Sequence, residues 1–153
     1  MTSIPPLGDA LDFLRILWGL DHSLQGASKR MEAALGVTGP QRMVVRIVGR
    51  FPGMSAGRLA EILHIHPSSV TGILKRLDRK GLITRRPDPR DGRRLFLGLT
   101  EKGRKIDVGQ EGTVEAAIVV ALTRLDRKAV QTVREVLVDI ADVLDQPNRK
   151  VAL

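Results

Sequence analysis

The sequence predicts a mainly α-helical protein of the α+β class, with about six helices and one β-hairpin. Apolar residues recur every three or four positions along most of the chain, and two short strand-like runs stand near 83–86 and 95–99. Glycine and proline separate these segments. With 153 residues, 42% of them hydrophobic and 27% charged, the chain can bury one core. One or two small, tightly joined units are therefore expected.

The composition limits the classes of function. A formal net charge of +8 and an isoelectric point near 10.8 favour a polyanionic partner, either nucleic acid or an anionic membrane surface. The longest apolar run, 116–122, is far shorter than the ~20 residues that cross a bilayer, and residues 1–10 lack the basic start of a signal peptide. We therefore expect a cytoplasmic protein with no membrane partner. The absence of cysteine excludes disulfides and thiolate metal sites.

Residues 1–37 predict an arm followed by a dimerisation helix. Prolines and a glycine in residues 1–8 indicate a loose arm, Asp9 is a candidate helix cap, and Gly36 is a natural stop after Leu35. The helix is apolar on most sides, so it needs more than one packing partner. Its apolar residues include Leu11, Phe13, Leu14, Ile16, Leu17, Trp18 and Leu20.

Two shorter helices should follow. Thr38 and Gln41 have the spacing of a capping box that begins the second helix, and Ser55 is placed to cap the third. We expect one face of each helix to be buried and the arginines of the second helix to lie on another face. The expected buried residues are Val44, Ile47, Val48 and Phe51, then Ala56, Leu59, Ile62 and Leu63; the arginines are Arg42, Arg46 and Arg50.

A fourth helix, beginning at Pro67, has two distinct faces, because apolar residues occur at positions i, i+3, i+4 and i+7. The apolar stripe contains Val70, Ile73, Leu74 and Leu77. The opposite face contains Ser68, Gly72, Lys75 and Arg79, flanked by Thr71 and Arg76. Together with the third helix and the turn at 64–66, this arrangement predicts a helix-turn-helix whose second helix is the recognition helix.

A β-hairpin wing should come next, with strands at 83–86 and 95–99 joined by a turn at 87–92. The segment from Lys75 to Arg94 holds nine basic residues against Asp78, Asp88 and Asp91, a net charge of +6. Because the positive charge is concentrated on this segment, nucleic acid is favoured over a membrane surface. We therefore predict a winged helix-turn-helix DNA-binding domain over residues 38–100.

The C-terminal part, 101–153, predicts two dimerisation helices. Thr100 should cap a fifth helix that extends to about Leu122, and Asp126 should cap a sixth. The sixth helix carries a short coiled-coil seam, and the tail 147–153 is expected to be frayed. Apolar surface of this extent exceeds what one small winged domain covers, so a symmetric homodimer is expected. The seam residues are Val130, Val133, Leu137, Ile140 and Leu144.

Four segments in register resemble the MarR family of bacterial winged-helix transcriptional regulators: SAGRLAEIL, HPSSVTGILKRLDRKGLI, DPRDGRR and LTEKGR. The resemblance covers nearly the whole chain. It implies a homodimer whose first, fifth and sixth helices interlock. It also implies that a small aromatic acid, bound between that platform and the winged domain, releases the DNA. The likeness places the DNA-reaching wing arginine at Arg90.

The predicted DNA-binding residues are Ser68, Ser69, Thr71, Gly72, Lys75, Arg76, Arg85, Arg86 and Arg90. Small residues let a helix approach base edges, and long basic ones reach phosphates or bases. The alternative for the helix is a merely solvated face, and for the wing a loop whose arginines pair with Asp88 and Asp91. We expect Arg79 and Lys80 to contact phosphate or solvent.

Two further sets of residues suggest ligands. Phe13, Trp18 and Arg46 could line an effector pocket, although core packing and a solvated arginine are the simpler interpretations. His22, His64 and His66 lack the spacing of a metal site, so we interpret them as turn or capping residues and expect neither metal nor cofactor.

Three rival classes of function remain beside a sequence-specific repressor of a pseudopalindromic operator. An enzyme is not expected, because no nucleophile elbow, phosphate-binding glycine loop or paired histidine and carboxylate is present. An architectural DNA-binding protein would share the charge but lack a specific site. A membrane-surface protein would need an amphipathic basic helix with aromatic anchors, which the sequence does not offer.

Overall fold

The computed structural model describes residues 6–146. The predicted arm of residues 1–8 lies largely, and the predicted frayed tail wholly, outside these residues. The described chain divides into two compact units, and the boundary along the sequence lies between Val114 and Glu115. The division of the chain into an N-terminal dimerisation helix, a winged domain and a C-terminal platform stays a prediction.

The described residues form seven helices and one two-stranded antiparallel sheet, which confirms the mainly α-helical class with a hairpin wing. The first unit contains the first five helices and both strands. In chain order the elements are α1 (Asp9–Leu35), α2 (Gly39–Arg50), α3 (Ala56–Leu63), α4 (Pro67–Arg79), β1 (Ile83–Pro87), β2 (Leu95–Leu99), α5 (Glu101–Ile106), α6 (Val114–Leu122) and α7 (Arg127–Leu144).

Most helix ends lie where the sequence predicts them. Four predicted side-chain caps accept a backbone N–H, namely Thr38, Ser55, Thr100 and Asp126. Gly36 adopts the left-handed conformation (φ 75°) that ends α1. The prediction for Asp9 is wrong, because Gly8 occupies the N-cap position with φ 85° and Asp9 is already the first helical residue.

The core of the first unit lies between α2, α3, α4 and the hairpin. It contains Val37, Val44, Val45, Val48, Leu59, Ala60, Val70, Leu74, Leu77, Leu82, Ile83 and Leu97. Two predicted core residues are exposed. Phe51 is the C-cap of α2 and leaves the helical path, and Ile62 lies at the edge of the face of α3 that buries Leu59 and Ala60.

The predicted fifth helix is two helices, so that prediction is wrong. Helix α5 ends at Ile106, where Arg42 donates hydrogen bonds to the carbonyl oxygens of Ile106 (2.5 Å) and Val108 (2.6 Å). A guanidinium at a helix C-terminus takes the carbonyls that have no intrahelical partner. Gly112, with φ 76°, turns the connecting segment before α6 begins.

Burial of Arg42 also corrects the predicted polar face of α2. Only 1% of Arg42 is exposed, and the same helix directs Arg46 to the backbone oxygen and the carboxylate of Asp107, at 2.7 and 2.9 Å. Buried charge of this kind is tolerated when the donors are hydrogen-bonded. Two of the three arginines on α2 therefore hold the chain that follows α5.

The second unit contains most of α6 and all of α7. Three adjacent residues of α6, Ile118, Val119 and Val120, are exposed. On α7, the predicted seam residues Val133, Leu137 and Leu144 are between 41% and 73% exposed, and Val130 and Ile140 are partly buried. A single chain therefore leaves most of this apolar row open. No helix among residues 6–146 is both long and apolar enough to cross a membrane.

Candidate nucleic-acid interface

The recognition helix α4 is held by its apolar stripe. Val70, Leu74 and Leu77 are at most 2% exposed, and Ile73 packs against the same core. Because the helix buries this stripe, the opposite face must point outward. The exposed residues on and beside that face are Ser68, Ser69, Thr71, Lys75, Arg76 and Arg79, with Gly72 partly exposed among them.

The N-terminus of α4 is organised by His66 and Pro67. His66 is the N-cap, and its Nδ1 accepts a hydrogen bond from the Ser68 amide at 3.2 Å and lies 2.7 Å from the Ser68 hydroxyl. Thr71 donates its hydroxyl proton to the carbonyl oxygen of Pro67 at 3.0 Å. His64 adopts a left-handed conformation (φ 50°) in the turn. The capping and turn interpretation of these two histidines is therefore confirmed.

The C-terminus of α4 is fixed by Lys80. Its ammonium group donates to the carbonyl oxygen of Gly36 at 2.7 Å and to Oε1 of Gln41 at 2.8 Å, and it lies 3.8 Å from Glu32. Gln41 Oε1 also accepts from the Thr38 amide at 3.3 Å as part of the capping box. We expected Lys80 to contact phosphate or solvent. Its side chain is partly exposed, but its ammonium group joins the recognition helix to the α1–α2 junction.

The wing is an antiparallel hairpin in which Arg85 pairs with Leu97 and Arg86 with Phe96. Its tip is ordered by the carboxylate of Asp88, which is 9% exposed and accepts from the Arg90 amide at 2.7 Å. The carboxylate of Asp91 likewise accepts from the Arg93 amide at 3.1 Å. The acidic residues therefore stabilise the backbone of the turn.

The wing arginines differ in their surroundings. Arg90 and Arg86 are exposed, whereas Arg85 is half-buried, with its Nε 3.8 Å from the carboxylate of Asp78 on α4. Asp91 also makes a loose ion pair with Arg94 at 3.9 Å. The two interpretations of the wing thus coexist, with some arginines bracing it and Arg90 presented at the tip. The DNA-contacting role of Arg85, Arg86 and Arg90 stays a prediction.

An open cleft of about 640 Å³ lies along α4. On one side are Ser68, Ser69, Gly72, Ile73 and Arg76 of α4; on the other are Glu32, Thr38, Pro40 and Gln41. A Cβ built on Gly72 would meet nothing within 4 Å. The surface around the predicted base-contacting residues is therefore unobstructed.

The predicted effector residues are not assembled in this chain. Phe13 and Trp18 are 53% and 66% exposed in the single chain, so they are not part of its own core, and Arg46 is paired with Asp107. The structure has a cleft along α4 and a second cleft of about 560 Å³ between α2, the wing and α5. None of the three predicted effector residues lines either cleft.

Among residues 6–146, no three histidine, aspartate or glutamate side chains converge as a metal site would require.

The sequence predicted a turn or capping role for His66 but missed the role of Lys80. The capping role of His66 had a local signal, because the residue before a proline at the first helical position is the N-cap. The role of Lys80 had none, since its partners are 39 and 44 residues away in the chain.

The chain is similar in sequence to known regulators of transcription. The sequence model of the MarR family matches residues 35–94. An HTH-type transcriptional repressor of Mycobacterium tuberculosis (strain ATCC 25618 / H37Rv) is 32% identical over 91 residues, which are 60% of this chain and 66% of the repressor. The match thus spans just under two thirds of that relative. These relatives are regulators of transcription, which supports the expectation that the chain is not an enzyme.

Solved structures share the fold at low identity. The S. aureus MepR–DNA complex aligns with a TM-score of 0.71 and 19% identity, covering 86% of this chain and 97% of that one. The PcaV transcriptional regulator from Streptomyces coelicolor, solved in complex with its natural ligand, aligns with a TM-score of 0.68 and 22% identity, covering 93% and 98%. These likenesses establish a winged-helix architecture for the chain.

Replacing Lys80 by Met should loosen the recognition helix. The substitution removes a charged donor from Gly36 and Gln41. Because Lys80 is partly exposed, we expect a cost of about 1 kcal/mol, seen as a fall of roughly 2–4 °C in Tm at fixed protein concentration.

The matched control is Lys105→Met, which removes the same charge from an exposed residue of α5. It should leave Tm within about a degree of the wild-type value. Equal melting temperatures for the two variants would show that Lys80 does not anchor α4.

Proposed function

We propose that the chain, whose residues 35–94 match the sequence model of the MarR family, is a sequence-specific regulator that binds double-stranded DNA. In this proposal it acts in the cytoplasm as a homodimeric repressor of a pseudopalindromic operator. The observation that carries the proposal is the orientation of α4, whose apolar stripe is buried and whose face of small and basic residues is open.

Gly72 supports close approach of DNA to this face. Glycine inside a helix costs about 1 kcal/mol relative to alanine, yet nothing in the described chain occupies the space of the missing side chain. A base edge or a sugar–phosphate strand would occupy it when α4 enters a major groove. Lys75 and Arg76, one turn further along the helix, then supply donors for base edges or phosphates.

Exposed apolar residues support dimerisation. Helix α1 leaves Leu11, Phe13, Ile16 and Trp18 more than half exposed, and α7 leaves its seam open. An exposed apolar surface of this kind is typical of an interface. Two-fold symmetry would then place two recognition helices in successive major grooves, roughly 10 bp apart.

An architectural DNA-binding protein is the alternative, and selection from random DNA separates the two. A repressor should enrich an inverted repeat and bind it roughly 10³-fold or more tightly than scrambled DNA of the same composition. An architectural protein should enrich no single sequence. That result would contradict the proposal.

Release by a small aromatic acid is a further part of the proposal. It rests on the family resemblance and on the similarity to the PcaV regulator, which was solved in complex with its natural ligand. Phe13 and Trp18 are exposed enough to line a pocket completed in a dimer, whereas Arg46 would have to leave Asp107 to bind a carboxylate. A ligand can release DNA only if it binds the free protein more tightly than it binds the DNA-bound protein.

A panel of benzoate and salicylate analogues tests this part. At least one acid should raise Tm and weaken operator binding together, and Arg46→Met should reduce both effects. If no member of a broad panel changes either quantity, the effector hypothesis is wrong.

Replacing Leu137 by Asp should disrupt the dimer. A charge in a buried seam without a partner costs several kcal/mol, so sedimentation should report a monomer and operator affinity should fall with it. Thr132→Asp adds the same charge to an exposed position of α7 outside the seam and should leave the dimer intact. A wild-type monomer that binds its operator tightly would contradict the dimer model.

Replacing Arg90 by Ala should weaken binding most on operators with A·T-rich flanks. The tip of the wing presents Arg90, and narrow A·T-rich minor grooves concentrate negative potential. The slope of log affinity against log salt should also fall by roughly one per subunit.

The comparison variant, Arg124→Ala, removes an equal charge from the second unit. Affinity for one operator core with A·T-rich or G·C-rich flanks, measured over a salt series, distinguishes the two variants. If Arg90→Ala behaves like Arg124→Ala, the wing tip does not contact DNA.

A further inference from the structure

Two hydroxyl groups on the DNA-facing side of α4 have already donated their protons within the protein. The Thr71 hydroxyl donates to the Pro67 carbonyl oxygen at 3.0 Å. Since a carbonyl oxygen has no proton to give, the direction of this bond is fixed. Thr71 Oγ1 can therefore only accept a hydrogen bond from DNA.

His66 fixes the direction of the Ser68 hydroxyl in the same way. The Ser68 backbone amide points at His66 Nδ1 at 3.2 Å and can only donate, which assigns the lone pair to Nδ1 and the proton to Nε2. The Ser68 hydroxyl, 2.7 Å from the same nitrogen, must then donate as well. The amide and the hydroxyl of Ser68 thus share His66 Nδ1 as their acceptor. The lone pairs of Ser68 Oγ stay available to accept a hydrogen bond from DNA.

Serine and threonine usually read bases ambiguously, because a free hydroxyl can donate to an acceptor or accept from a donor. Here the ambiguity is removed by contacts inside the protein. In the major groove, the hydrogen-bond donors are the N6 amino group of adenine and the N4 amino group of cytosine. Guanine presents only acceptors there, and thymine presents an acceptor and a methyl group.

We propose that Ser68 and Thr71 select bases as obligate acceptors, so that each half-site of the operator presents an adenine or cytosine amino group to them. The inference rests on the proposed function, because it requires α4 to enter the major groove. Lys75, which carries only donors, selects guanine in the same half-site. His66 is a positioning residue, which acts on the DNA only through Ser68.

The experiment begins with the operator that selection enriches. Within it, each adenine is replaced by purine, which lacks the N6 amino group, and each cytosine by 2-pyrimidinone, which lacks the N4 amino group. Loss of one amino group in contact with a hydroxyl should weaken wild-type binding roughly tenfold. At least two positions in each half-site should show the effect, one for Ser68 and one for Thr71.

Variants assign each position to a side chain. Thr71→Val keeps the branched shape but removes the acceptor, so one analogue should cease to weaken binding. Thr71→Ser keeps both the acceptor and the internal bond and should retain the wild-type pattern. The matched control is Thr132→Val on α7, where Thr132 donates to Lys128 at the same 3.0 Å distance, and it should retain the pattern as well.

Variants of His66 test the positioning role. His66→Asn keeps an oxygen acceptor at the N-cap and should preserve the selected bases. His66→Ala releases the Ser68 proton, so selection with this variant should also recover guanine or thymine at the Ser68 position. A purely structural cap would lower affinity at every sequence without changing that preference.

The outcomes distinguish the acceptor proposal from the proposed function. An enriched inverted repeat that is indifferent to every amino-group deletion would overturn the acceptor proposal and leave the proposed function intact. Guanine or thymine selected by the wild type at the positions that Ser68 and Thr71 contact would do the same. A failure to enrich any sequence would instead contradict the proposed function, and this inference would fall with it.

Discussion

The burial of one stripe of α4 is the constraint on which the candidate DNA-binding surface depends. Val70, Leu74 and Leu77 are almost completely buried against the core that α2, α3 and the hairpin share. Burying each of these side chains contributes roughly 1.5–3 kcal/mol, so any rotation of α4 about its axis loses several kcal/mol. The outward position of Ser68, Thr71 and Lys75 therefore follows from the packing of residues that are buried in the core.

Short sequence patterns predicted those helices and strands whose ends are determined by neighbouring residues in the chain. Capping residues, a left-handed glycine and apolar periodicity were sufficient for helices α1 to α4, for α7 and for the hairpin. The break between α5 and α6 was missed because Arg42, the residue that holds it, lies 64 positions away from Ile106 in the chain. Periodicity indicates which face of a helix is apolar. It does not indicate that a side chain from another helix binds the carbonyl oxygens at the end of α5.

The candidate site shows the same division between local and distant causes. The exposed face of α4 was predictable from steps of 100° per residue, and the exposure of Arg90 from the composition of its turn. Residue type alone did not reveal that Lys80 is bound to Gly36, because the contact depends on how α4 meets the α1–α2 junction. Nor did it reveal the direction of the Ser68 and Thr71 hydroxyl bonds, on which the proposed base preference depends.

The central claim is that two recognition helices with a fixed separation read one operator, and a spacer series tests it most directly. Base pairs are inserted between the two half-sites of the selected operator, and affinity is measured for each length. An insertion of 5 bp turns one half-site to the opposite side of the duplex, so binding should fall at least about 100-fold, towards the non-specific level. Affinity that is independent of spacer length would contradict the account, because the half-sites would then be read one at a time.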